Sequence, residues 1–100
     1  MNQINSCIFE GTMTELDCVP TGVSFILENS RISRVNGKNV KEITKIPVYA
    51  TYNLVDNIET HKPIKEVVGT IIRVVGRMSS FETDGILRLL CIAEHIDLKP

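Results

Sequence analysis

The sequence predicts an all-β fold: five strands closed into a small Greek-key barrel, with one short helix between the third and fourth strands. Three observations predict it. Apolar residues recur at alternate positions in several stretches, the period of a strand with one buried face. Asn36-Gly37 and Asp84-Gly85 lie between such stretches, and these dipeptides are strong two-residue hairpin signals. The alternation breaks once, from Leu54 to Glu66, where Leu54, Val55 and Ile58 suggest a short helix ending before Pro63.

From Ile4 to Met13, Cys7, Phe9, Gly11 and Met13 share one parity, which predicts a first strand. Pro20-Thr21-Gly22 then reads as a turn. Val23, Phe25 and Leu27 share the inward parity of a second strand, which continues through Ile32-Ser33-Arg34-Val35 to the Asn36-Gly37 turn. The third strand runs from Lys41 to Tyr52, with Ile46, Val48 and Ala50 on one side and Lys45, Pro47 and Tyr49 on the other. Pro47 has no N–H for a ladder, so its part of the strand is an edge, a bulge or a start. The fourth strand follows Gly69, with Ile72, Val74 and Met78 inward, and Arg73 and Arg77 outward beside Ile71 and Val75. Gly76 inside it suggests the bend or bulge that a small barrel needs. The fifth runs from Ile86 to about Ile96. The expected barrel interior is Phe9, Met13, Val23, Phe25, Leu27, Val48, Ile72, Val74, Leu89 and Cys91. Three strands, a helix and two strands suggest a barrel of the oligonucleotide/oligosaccharide-binding (OB) type.

One hundred residues make one domain, 1–100, with enough apolar content (43%) for a core without metal or disulfide staples. No apolar run approaches the roughly 20 residues of a membrane helix. Met1-Asn2-Gln3-Ile4-Asn5 lacks the basic then apolar pattern of a secretory signal. Cys7, Cys18 and Cys91 have no metal-ligand spacing and read as reduced thiols of a cytoplasmic protein. His61 and His95 have no partner at metal spacing, and His95 reads as a partly exposed structural residue. No phosphate-cradling glycine loop and no nucleophile motif occurs. The expectation is a binding protein without catalytic residues, metal or cofactor.

The net charge of −1 conceals an asymmetry. Residues 1–30 hold Glu10, Glu15, Asp17 and Glu28 and no Lys or Arg, whereas residues 31–45 hold Arg31, Arg34, Lys38, Lys41 and Lys45 against Glu42 alone. A near-neutral total argues against strong non-specific binding to nucleic acid. The basic hairpin fits a phosphate-binding surface. It equally fits a solvated edge whose lysines prevent aggregation.

Gly69-Thr70-Ile71-Ile72-Arg73-Val74-Val75-Gly76-Arg77-Met78 resembles the Lys-Gly-Ser-x-Val-x-Val-x-Gly-x-Leu strand of the bacterial single-stranded DNA-binding protein superfamily. Ile8-Phe9-Glu10-Gly11-Thr12-Met13 resembles its opening strand. Phe25-Ile26-Leu27-Glu28, Ile46-Pro47-Val48 and Ala93-Glu94-His95-Ile96-Asp97-Leu98 resemble segments of one branch, primosomal replication protein N (PriB), in the same order. That the chain stops just after the fifth strand, without a long acidic tail, again resembles this branch. The resemblance implies a homodimer that binds single-stranded DNA and works with a primosomal helicase and other replication-restart proteins. A general single-stranded DNA-binding protein, and an OB-fold interaction module with little DNA affinity, are the alternatives.

The candidate binding residues are Arg34, Lys38, Lys41 and Lys45 of the central hairpin and Arg73 and Arg77 of the fourth strand. Tyr49, Tyr52 and Phe81 are the candidate stacking platforms, since Trp is absent and Phe9 and Phe25 point inward. The sequence departs from the branch where Ser79-Ser80-Phe81-Glu82-Thr83-Asp84-Gly85 is acidic rather than lysine-bearing. Outward apolar residues Ile8, Ile71, Val75, Leu90 and Ile92 predict a dimer surface.

Overall fold

The computed structural model describes residues 3–59 and 62–98. Five strands form a closed barrel: β1 (Cys7–Val19), β2 (Gly22–Val35), β3 (Lys38–Thr51), β4 (Ile71–Thr83) and β5 (Ile86–Leu98), in the order β1-β2-β3-β5-β4. Two helices, α1 (Tyr52–Glu59) and α2 (Ile64–Val67), lie between β3 and β4. The single turn of α2 follows Pro63 and was not expected. It buries Ile64 and Val67. The chain then returns to β1, where the Gly69 N–H donates to Met13 O at 2.8 Å and the Met13 N–H donates to Thr70 O at 3.1 Å. The amphipathic α1 turns Val55 and Ile58 onto the barrel's lower end.

β1 is longer than its alternation suggested. It pairs with β4 from Cys7 to Thr12 and with β2 from Thr12 to Val19. The extension follows a bulge between Thr14 and Asp17, where Glu15 has φ 52 and two β1 residues oppose Phe25. The bulge resets the pattern, which is why alternation alone ended the strand at Met13. A second irregularity lies between Val75 and Gly76, whose β5 partners are His95 and Ala93, so Glu94 is the extra residue.

The interior follows the inward parities. Met13, Val23, Phe25, Leu27, Val48, Ile72, Val74 and Cys91 are buried, and Phe9 is half-buried against them. Leu89 is the exception, 57% exposed. It pairs with Ser80 above the barrel, where β4 and β5 extend as a ribbon past their pairing with β3 and that face is exposed at Leu87 and Leu89.

Two such ribbons exist. Each closes on a two-residue turn, Asn36-Gly37 (φ 51 and 76) and Asp84-Gly85 (φ 54 and 76). Two left-handed residues match the strand twist of a tight hairpin, which these dipeptides supply at low steric cost. β3 and β5 run parallel and pair only at Val48↔Cys91 and Tyr49↔Ile92. Both turns therefore lie at the same end of the barrel. Pro47 marks the point where β3 leaves β5, in keeping with its missing donor.

Candidate nucleic-acid interface

Register decides which face each charged side chain takes. In the upper β2–β3 ribbon the ladder pairs Glu28↔Lys45, Ser30↔Ile43, Ile32↔Lys41 and Arg34↔Asn39 on one face. These positions share parity with Ile26, Pro47 and Tyr49 and form the outer face. The opposite face continues the barrel interior, with Arg31↔Glu42, Ser33↔Val40 and Val35↔Lys38. Arg34, Lys41 and Lys45 thus share the outer face, and Lys38 lies across the ribbon from them. Arg31 has the Glu42 carboxylate opposite, and Ser33 Oγ donates to Glu42 Oε1 at 2.8 Å.

The β4–β5 ribbon sorts the same way. Arg77↔Ile92, Ser79↔Leu90, Phe81↔Arg88 and Thr83↔Ile86 face outward, while Ser80↔Leu89 and Glu82↔Leu87 face inward. Glu82, half of the acidic loop, therefore points away from the face that carries Phe81. Phe81 is 46% exposed beside Arg88. Arg88 was not among the expected residues. Its position was readable, because a two-residue turn at Asp84-Gly85 fixes Phe81 opposite Arg88.

Outer rows run across the whole surface. Ser24, Tyr49, Ile92 and Arg77 form one row through β2, β3, β5 and β4. The outer face of the two ribbons and this row holds Arg34, Lys41, Lys45, Arg77 and Arg88, all exposed, and Glu28 as its one carboxylate.

Three expected residues stand apart. Arg73 lies lower on β4, with Arg73 Nη2 3.7 Å from Glu10 Oε2 and Asp97 opposite on β5. Tyr52 begins α1, and its hydroxyl donates to Val19 O at 2.6 Å. Lys38 is at the tip, on the other face. Tyr49 is also tied down, its hydroxyl hydrogen-bonded to Thr21 Oγ1. From Lys38 to Tyr49 the strand spans about 36 Å. No single nucleotide bridges them. A single strand of several nucleotides is needed to do so, within the roughly 4–16 nucleotides of an OB-fold site.

His95 is exposed, its Nε2 2.7 Å from Asp97 Oδ1. His61 lies outside the described residues. Among the described residues no cluster of three or more His, Cys, Asp or Glu is placed to hold a metal ion. No helix among them is long and apolar enough to cross a membrane.

No family model matches the chain, and no curated protein sequence matches it. Solved structures share its architecture. The Plasmodium falciparum single-stranded DNA-binding protein, solved in complex with single-stranded DNA, aligns at a TM-score of 0.71 and 13% identity, over 100% of this chain and 98% of that one. A small single-stranded DNA-binding protein from Mycoplasma pneumoniae gives 0.65 and 16%, over 94% and 92%. The dimeric N-terminal domain of PriB from Thermoanaerobacter tencongensis gives 0.62 and 20%, over 96% and 97%. The barrel is therefore the OB fold of single-stranded DNA-binding and PriB proteins, as the sequence resemblance implied.

Proposed function

We propose that the chain binds single-stranded DNA along the outer face of its two ribbons, and acts as a homodimer with a primosomal helicase in replication restart. The observation that carries the DNA part is the sorting of charge: five cations and Phe81 share the outer face with one carboxylate, although the whole chain is at −1. Cations spaced along two strands suit a phosphate chain, and sequence-tolerant affinity comes from stacking on Phe81 and Tyr49. Arg34, Lys41, Lys45, Arg77 and Arg88 are assigned to phosphates. Lys38 reaches the same backbone from the turn. Arg73, held by Glu10, contributes little. Tyr52 flanks the lower end of the track.

The dimer is supported by the outer face of β1 and β4. Ile8 is 66% exposed beside Val75, and Ile71 is exposed four residues away along β4, beyond the Arg73–Glu10 pair. Among the described residues, Cys7 to Phe9 pair with β4 and with no other strand, whereas Asn29 of β2 reaches Glu10 O, so a second copy can pair along the start of β1. The PriB-like sequence segments support the restart role over that of a general single-stranded DNA-binding protein. A second reading, a protein-interaction module, is favoured by exposed Leu87 and Leu89 on the inner face of the β4–β5 ribbon.

Titrating labelled oligo(dT) and a duplex of equal length at two salt concentrations tests the DNA reading. Tighter binding to oligo(dT), weakening with salt, is expected. No oligo(dT) binding at low salt would shift the assignment to the interaction module. Stimulation of a primosomal helicase on forked DNA tests the restart role.

A further inference from the structure

Cys7 opens β1 and Cys91 lies in β5, and their sulfurs are 3.8 Å apart. The two strands are not neighbours, for β4 runs between them. The thiols meet because the β4 residue opposite Cys7 is Gly76, which projects nothing into the space. Cys91 pairs with Met78, the next inward residue of β4. A fully buried cysteine is ordinarily a small hydrophobe. This one faces a second thiol, and that thiol is only half-buried.

The two ends differ in freedom. Cys91 is held between Met78 on β4 and Val48 on β3. Within one copy, and among the described residues, Cys7 has β4 on one side and no strand on the other, so only a partner copy's strand could brace it. A disulfide needs sulfurs about 2.05 Å apart and Cα atoms within about 7 Å, so the sulfurs must close by about 1.8 Å through rotation of Cys7 and an inward shift of the start of β1.

We propose that Cys7 and Cys91 are a redox-active pair that closes to a disulfide across β4. A small-molecule disulfide such as oxidised glutathione serves as oxidant. The Cys7 thiolate attacks one of its sulfurs, forms a mixed disulfide and releases one glutathione thiolate. Cys91 gives up its proton and attacks the Cys7 sulfur, expelling the second thiolate. Two protein thiols are oxidised and one glutathione disulfide is reduced to two thiols. Burial makes the second step the slow one.

The closed bond would fix the base of the β4–β5 ribbon. Asn5 already grips Met78 at both backbone groups: Asn5 Nδ2 donates to Met78 O at 2.7 Å, and the Met78 N–H donates to Asn5 Oδ1 at 3.0 Å. Oxidation would add a covalent link from the same segment to β5. This inference does not depend on DNA binding.

The test uses the full chain carrying Cys18→Ser, which removes the exposed thiol roughly 35 Å along β1. The folded, reduced protein is incubated with oxidised glutathione, then examined by intact mass and non-reducing peptide mapping. The expected product has lost two hydrogens, links the Cys7 and Cys91 peptides, and melts several degrees above the reduced form. Cys7→Ser in the same background should show neither link nor shift. A persistent glutathione adduct on Cys7 with Cys91 still free would overturn the proposal. So would a link that forms only after unfolding in urea, a result that does not rely on how any further variant folds.

Discussion

Gly76 shows how one missing side chain shapes the barrel. A Cβ built there would lie 2.1 Å from Ile92 O, a backbone atom that cannot rotate away. Gly76→Ala should therefore cost about 2–4 kcal/mol, read as a fall in urea midpoint with unchanged m-value. Cys91, nearby, gives a pH-dependent prediction. Burial, with the hydrogen bond to the Cys7 thiol behind it, pushes its pKa from 9.0 up to about 12. The fold thus favours the neutral thiol. Its contribution is complete below pH 9 and is lost as pH climbs from about 9 through about 12, because the unfolded chain ionises first. Under reductant, Cys91→Ala should flatten the loss of stability between about pH 8 and about pH 10.5, measured by urea midpoints. At this scale much was legible. The inward parities named Met13, Val74 and Cys91 correctly. Leu89 misled, because alternation persists into a ribbon that has left its core behind.

The ribbons are the elements that turn a near-neutral chain into a cationic surface. Each phosphate neutralised should add about −0.7 to the slope of log affinity against log salt. Lys41→Ala, Lys45→Ala and Arg88→Ala together should then flatten that slope by about 2. Arg73→Ala, whose guanidinium sits by Glu10, should leave it nearly unchanged. A triple variant that keeps wild-type affinity and slope for oligo(dT) would place the surface elsewhere. The sequence marked the basic hairpin but not its sidedness. Lys38 and Lys41 looked equivalent in a list of cations. Counting outward from the Asn36-Gly37 turn separates them, because Lys38 pairs with Val35 and Lys41 with Ile32. The same count would have raised Arg88 and lowered the weight of Glu82. What no count could reveal was the Arg73–Glu10 pair, which requires knowing that β4 lies beside β1.

For the whole molecule, assembly is the property the sequence reached only through outward apolar residues and resemblance. Ile8→Glu puts a charge on the exposed part of β1 and should shift sedimentation equilibrium from a dimer to the 11.2 kDa chain at micromolar concentration, with little change in melting. A wild-type chain that is already monomeric there would remove the dimer proposal. Barrel closure itself also has a consequence in time. β2–β3 and β4–β5 are sequence neighbours joined by tight turns, and such hairpins form in about 1–10 μs. The β1–β4 seam is different. Thr12 meets Ile71 and Cys7 meets Gly76, separations of 59 and 69 residues. Loop-closure entropy must be met there before any contact is gained, which places all-β barrels among the slow folders. The seam should be the last part to assemble, so lesions in it would prolong the lifetime of an open chain whose two finished hairpins expose bare strand edges to other molecules.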